Sequence, residues 1–81
     1  MKKSLTKEEQ AFVDSKLKAI GRKIRELRTA QNSNYEAWAY LNGINKVSLH
    51  RLEKGENVTM KLLVTILRKL NTSLEDLFKN L

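Results

Sequence analysis

The sequence contains no cysteine and no proline, and it has only three glycines and one histidine. Without cysteine there is neither a disulfide nor a thiolate metal site, and a single histidine argues against a histidine-based metal site. The scarcity of helix-breaking residues, with frequent Leu, Lys, Glu and Ala, indicates an all-helical fold. We therefore expect an all-α protein with no metal and no cofactor.

Long apolar runs are also missing. The basic start of the chain passes directly into the polar stretch Thr6–Gln10, whereas a secretory signal peptide needs an apolar stretch at that point. No segment approaches the roughly 20 apolar residues that span a bilayer. We expect a cytoplasmic protein with neither a leader nor a membrane partner.

The residue combinations that carry catalysis are not evident in this sequence. It shows no paired carboxylates, no nucleophile beside a base and no phosphate-binding glycine loop, so we expect no enzyme. Aromatic residues make up only 6% of the chain, and no stacking platform for single-stranded RNA is apparent. The 81 residues are enough for one small domain, without a separate ligand-sensing domain.

Positive charge is abundant. Sixteen Lys and Arg against nine Asp and Glu give a formal net charge of +7. An excess of this size on a small domain indicates an anionic partner, most often nucleic acid. Charge alone leaves two alternatives open, a surface that only keeps the protein soluble and a surface that binds membranes.

The hydrophobic spacing predicts five helices, the first over residues 6–31. Thr6 and Glu9 form a capping box at its start, and Gly21 is a point where the helix can bend or break. Apolar residues recur along it at spacings of three and four, which predicts one buried face. They are Val13, Leu17, Ile20, Ile24 and Leu27.

Short oxygen-bearing side chains predict the starts of the other four helices. They are Asn34, Asn45, Thr59 and Ser73. Gly43 and Gly55 are expected to end the second and third helices in left-handed conformations. In the third helix, which we expect to run to about Lys54, Leu49 and Leu52 point inward. The outer face is left to Lys46, Val47, His50 and Arg51.

Two short helices joined by a glycine turn, the second with a polar and basic outer face, are typical of a helix-turn-helix. Ala39 allows the helices to cross closely, and Gly43 allows the sharp turn. Here the sequence resembles the Cro/C1-type (XRE) helix-turn-helix family, over residues 20–78. The segments that carry the resemblance are Ile20–Arg28, Ala39, Gly43-Ile44, Leu52–Gly55 and Leu70–Phe78.

The resemblance implies a five-helix, lambda-repressor-like helix-turn-helix domain over residues 19–81. Residues 1–18 form a helical N-terminal extension outside the family core. The stretch Lys16–Arg28 holds six basic residues and one acidic residue. It is either an arm along the DNA backbone or a solvated helix face. A third alternative is that Phe12, Val13 and Leu17 extend the core or a dimer surface.

The resemblance also implies roles for individual residues. DNA base-reading positions match Lys46, Val47 and Arg51, with Ser48 beside them. Alternatively, Lys46 and Arg51 touch only phosphate. In the family, the residues matching Arg28 and Glu53 form a structural ion pair. The implied phosphate-binding residues are Asn34, Tyr35, His50, Lys54, Asn57, Thr59 and Lys61; for His50 the alternative is a solvated surface residue.

The sequence departs from the family pattern in the region of the second helix. Tyr35 replaces a glutamine that commonly binds phosphate. Polar Asn42 stands where an apolar residue packs, with Leu41 one position early, so we expect a helix that is rotated or ends a residue sooner. Asn32-Ser33 replaces Gly-Leu, which predicts a less well anchored loop. Trp38 replaces a leucine and is expected in the core.

These features together predict a dimeric transcriptional regulator, a repressor that binds an inverted-repeat operator in double-stranded DNA. Two half-sites about 34 Å apart supply the discrimination that one lacks. The predicted dimer surface is Leu74, Leu77, Phe78 and Leu81, with core packing as the alternative. We expect a prokaryotic or phage-like cytoplasmic protein that is nucleoid-associated when bound.

A second hypothesis is a protein-interaction module, such as an antitoxin-like subunit with a protein partner. Antitoxins of this family usually carry an extra segment that wraps the toxin. Here only about three residues follow the fifth predicted helix, so we expect the N-terminal helix to be the one segment available for that role.

Overall fold

A computed structural model describes residues 4–79 and 81 of the chain. These residues form five α-helices and no strand, which confirms the all-helical class. The first three residues of the predicted extension lie outside the described part. The helices are α1 (Lys7–Gln31), α2 (Tyr35–Leu41), α3 (Lys46–Glu53), α4 (Met60–Lys69) and α5 (Leu74–Lys79). None of the described helices combines the length and the apolarity that a bilayer crossing requires.

The capping box predicted at the start of α1 is confirmed. The Thr6 amide donates to Glu9 Oε1 at 2.9 Å, and the Glu9 amide donates to Thr6 Oγ1 at 3.1 Å. From this cap α1 runs without interruption for 25 residues, about 37 Å at the rise of an α-helix. The helix therefore spans both the predicted extension and the start of the predicted domain.

The break considered at Gly21 does not occur, because α1 continues through this residue. Gly21 is buried where α1 passes the end of α3. A Cβ atom at this position would lie 2.5 Å from the Leu52 carbonyl oxygen and 2.7 Å from that of Glu53. The missing side chain thus allows a close approach of two helices, which spacing along the sequence does not reveal.

The turn between α2 and α3 follows the predicted caps. The Asn34 side-chain oxygen accepts from the Ala37 amide at 3.0 Å. The Asn45 side-chain oxygen accepts from the Val47 amide at 2.9 Å and the Ser48 amide at 3.1 Å. Between them Gly43 has a φ of +66°, the left-handed conformation that lets the chain reverse.

The departure from the family pattern at Leu41 and Asn42 has a structural explanation. α2 ends at Leu41, and Asn42 caps it by donating from its side chain to the Trp38 carbonyl oxygen at 2.8 Å. Leu41 does not replace the apolar contact, since it is 73% exposed. A polar residue at position 42 is therefore used to end the helix.

The caps predicted for α4 and α5 are also present. Thr59 Oγ1 accepts from the Leu62 amide at 3.1 Å. Ser73 Oγ accepts from the Asp76 amide at 3.0 Å. Between the two helices Asn71 adopts a φ of 56°, which asparagine tolerates better than most residues.

All five helices enclose one hydrophobic core. Trp38 lies in it as predicted, and its indole N–H donates to Gln31 Oε1 at 2.8 Å. Leu77 is fully buried, so for this residue core packing, the alternative to a dimer surface, is the observed role. The buried hydrophobic residues are Ile24, Trp38, Ala39, Leu49, Leu52, Leu63, Ile66, Leu67, Leu70 and Leu77.

Candidate nucleic-acid interface

Arg28 of α1 and Glu53 of α3 form a bidentate ion pair. Arg28 Nε donates to Glu53 Oε2 and Nη2 donates to Oε1, both at 2.8 Å. The two side chains are only 4% and 7% exposed. The hydrogen bonds to Glu53 raise the pKa of the Arg28 guanidinium above its usual value, against the effect of burial. The last turn of α3 is therefore fixed to α1 by two charge-assisted bonds.

The same guanidinium holds the loop between α1 and α2. Arg28 Nη1 donates to the carbonyl oxygens of Asn32 and Ser33, each at 3.0 Å. The Asn32 side-chain oxygen accepts from the Asn34 amide at 2.9 Å. The loop that the sequence predicted to be less well anchored is therefore held by bonds from Arg28 and Asn32.

The outer face of α3 presents an exposed row of side chains. Lys46, Val47 and Arg51 are exposed, while Leu49 and Leu52 on the opposite face are buried. The core contacts and the Arg28–Glu53 pair keep the helix in place. The exposed row is thus carried by a helix with a fixed orientation.

Acidic side chains contact the cations of this face, and sequence reasoning missed them. Lys46 Nζ lies 2.9 Å from Glu36 Oε2, and this hydrogen bond raises the pKa of Lys46. Arg51 Nε and Lys54 Nζ lie 3.6 Å and 3.7 Å from the Glu56 carboxylate. All these side chains are well exposed, so the pairs add little stability. Another anion can therefore replace the carboxylate beside each cation.

An open depression of about 510 Å³ lies along one side of α3. It brings together Ser48 and Arg51, predicted to read bases, with Asn57 and Thr59, predicted to bind phosphate. Their side chains supply hydroxyl, amide and guanidinium groups. The depression can accept both phosphate oxygens and hydrogen-bonding base edges.

A second depression, of about 240 Å³, lies against the last turn of α3. Tyr35 and His50 line it with their rings stacked, the centroids 5.4 Å apart and the planes at 29°. Lys54 and Arg25 also line it. Arg25 belongs to the basic stretch Lys16–Arg28, for which an arm along the DNA backbone was one alternative, but the sequence did not single it out.

The remaining predicted residues lie outside these two depressions. The Asn34 side-chain oxygen is occupied as the cap of α2. Lys61 is exposed in the first turn of α4. On the predicted dimer surface Phe78 and Leu81 are exposed, whereas Leu74 is packed partly against the core.

Comparison of the chain with models of protein families, with curated proteins and with solved structures finds no match in any of the three. Within the part of the chain that the structure describes, no group of three or more His, Asp or Glu side chains is arranged to hold a metal ion. Function therefore has to be inferred from the geometry and charge of the surface around α3.

Proposed function

We propose that the chain is a lambda-repressor-like helix-turn-helix protein of the Cro/C1 type that binds double-stranded DNA sequence-specifically. In this proposal α3 enters the major groove and α2 lies across the backbone. The observation that carries the proposal is the exposed row Lys46, Val47 and Arg51 on a helix whose other face is buried. A fixed helix with such a row has the chemistry needed to read base edges.

Each member of the row suits a different base. The planar fork of Arg51 matches the O6 and N7 acceptors of guanine, and Lys46 donates to the same atoms as a point charge. Val47 offers an apolar contact to a thymine methyl group. Ser48 lies in the depression beside Arg51, where its hydroxyl can donate or accept.

The two depressions are proposed to receive the sugar–phosphate strands on either side of the groove. Tyr35, His50, Lys54 and Arg25 offer donors on one side. Asn57 and Thr59 do so on the other side, with Lys61 at the start of α4. Such contacts set the register and supply much of the affinity, while the row on α3 supplies the specificity.

A regulator that acts in the cytoplasm as a dimer on an inverted repeat fits this interface. One α3 helix contacts only a few base pairs, which gives too little discrimination in a genome. Two copies on half-sites about 34 Å apart, one helical turn, provide the missing specificity. Repression follows if such an operator overlaps a promoter.

The proposal is tested by selecting retained sequences from random duplex DNA at moderate salt. We expect an enriched inverted repeat with half-sites about one helical turn apart. Arg51→Ala should relax the preference at one base pair, at a cost of about 1–3 kcal/mol. Arg68→Ala removes the same charge from the exposed surface of α4 and should leave the preference unchanged.

Retention without any enriched sequence, disappearing steeply as salt rises, would contradict specific reading and leave only phosphate binding. The protein-interaction alternative then becomes the better one. It is favoured by one observation, the exposed apolar side chains on the first turns of α1.

A further inference from the structure

The first half of α1 lies outside the core. Residues 4–16 are all exposed, and the first half-buried side chain of the helix is Leu17. In proteins most helical stability comes from packing of an amphipathic face. This exposed half of α1 makes no such packing contact within the part of the chain that the structure describes, so a partner that covers it would stabilise it.

This segment carries an apolar depression of about 360 Å³. Leu5, Phe12 and Val13 line it together with Glu8 and Glu9. Phe12 is 64% exposed and Leu5 is 51% exposed. Large apolar side chains grouped in this way mark an interaction surface more often than single exposed residues do.

The charges around Phe12 have opposite signs on its two sides. Glu8 and Glu9 lie one turn before it and line the same depression. Lys16 lies one turn after it, with Nζ 5.4 Å from the centre of the Phe12 ring. The face of α1 centred on Phe12 is therefore acidic toward its N-terminus and basic toward its C-terminus.

We propose that this face docks a second copy of the chain, with the two α1 helices antiparallel and their Phe12 rings at the twofold axis. In an antiparallel pair centred on Phe12, Glu8 of one copy lies opposite Lys16 of the partner subunit, and the reverse pair forms on the other side. Apolar contact is thus central and is flanked by two identical ion pairs, as an isologous interface requires.

The charges favour a second copy over the other occupants of an apolar surface. Glu8 and Glu9 repel both DNA and anionic lipid, whereas the partner's Lys16 complements them. Within one chain Glu8 and Lys16 are eight residues apart, about 12 Å along the helix, so they do not satisfy each other. This dimer surface is separate from α5, and it stands whether or not the chain binds DNA.

The apolar part of the proposal is tested by sedimentation equilibrium of the full chain without DNA, over a range of concentrations. We expect the wild type to approach twice the monomer mass and Phe12→Ser to raise the dissociation constant at least about tenfold. Tyr40→Ser is the matched control, because Tyr40 is an exposed ring on α2, and it should leave the constant unchanged. Circular dichroism at low concentration checks that each variant folds.

The register is tested by exchanging the two charges. Lys16→Glu places like charges opposite each other in the dimer and should weaken it, as should Glu8→Lys. The double variant Glu8→Lys/Lys16→Glu should restore association, since each pair is again oppositely charged. A wild type that stays monomeric, a dimer indifferent to Phe12→Ser, or a double variant no better than the singles would each overturn the proposal.

Discussion

The Arg28 guanidinium, carried by α1, binds two other segments of the chain: α3 at Glu53 and the loop at the carbonyl oxygens of Asn32 and Ser33. Arg28→Ala would leave the Glu53 carboxylate buried without a partner. We expect the free energy of unfolding to fall by about 3 kcal/mol, measured by urea denaturation. The fold itself should loosen, and the proposed DNA binding should weaken as a result.

A double variant separates the cost of leaving a buried charge unpaired from the cost of losing packing at this position. In Arg28→Met/Glu53→Leu neither charge remains buried, so its stability should lie well above that of Arg28→Ala. An unchanged melting temperature for Arg28→Ala, with weakened DNA binding alone, would show that the pair serves the ligand and not the fold.

Replacing Gly21 by alanine should lower the stability of the protein, whereas the same replacement in an exposed helix usually raises stability. On an exposed helix, glycine to alanine stabilises by up to about 1 kcal/mol. At Gly21 the new Cβ would meet two carbonyl oxygens of α3 at less than 3 Å, so we expect Gly21→Ala to cost about 1–3 kcal/mol.

Thermal melting compares Gly21→Ala with Ser15→Ala, which places an alanine at an exposed position of the same helix. Ser15→Ala should be neutral or slightly stabilising. A stabilised Gly21→Ala would mean that α1 and α3 are not held this closely.

At the scale of residues, the sequence predicted what depends on near neighbours. A cap needs only an oxygen two or three residues before an amide, so Thr6, Asn34, Asn45 and Thr59 were recognisable. Contacts between distant segments were not recognisable from local patterns, and the Arg28–Glu53 pair was implied only by the family resemblance. No local pattern links Glu36 to Lys46, and none shows that Gly21 lies against the carbonyls of α3.

At the scale of the helix, the start of α1 should respond to pH. The Thr6 amide donates to the Glu9 carboxylate, which lowers the pKa of Glu9 below its usual 4.5. The stabilisation is therefore complete above that value, and it is lost as pH falls through the lowered pKa of the folded state. We expect the first turns of α1 to fray in acid.

Glu9→Gln is the control, because glutamine keeps the capping bond but does not titrate. Circular dichroism from neutral pH to strong acid should show the wild type losing helix relative to Glu9→Gln only below about pH 4.5. Parallel titration curves for the two proteins would show that the carboxylate contributes nothing to the cap.

Helix boundaries were predictable to within a residue for the same local reasons. α1 begins after Thr6, and α3 begins after Asn45 and ends at Glu53, one residue before the expected limit. Their mutual arrangement was not predictable from spacing. It depends on Trp38, Leu49 and Leu52 meeting in the core, and on the buried Arg28–Glu53 ion pair.

At the scale of the whole molecule, the net charge of +7 should make the proposed DNA binding strongly dependent on salt. For about six phosphate contacts we expect affinity to fall about a thousandfold between about 50 and 200 mM salt. Lys61→Ala should reduce the logarithmic slope by about one. The affinity of a labelled duplex, measured at several salt concentrations, gives both quantities.

Lys69→Ala is the matched control, since Lys69 lies at the other end of α4, and it should leave that slope unchanged. Equal effects of the two variants would mean that the positive charge acts diffusely and that α4 does not face a DNA strand. The charge of the molecule was evident from composition alone, but its distribution over the two depressions required the structure.

Arg28 has one more consequence, for how the molecule opens. Because its guanidinium joins α1, the loop before α2 and the last turn of α3, detaching α3 or the loop breaks charge-assisted hydrogen bonds to Arg28. We therefore expect these segments to open together as one cooperative unit. Amide hydrogen exchange in the C-terminal half of α1 and in α3 should accordingly share a single opening free energy, whereas the first turns of α1 exchange independently.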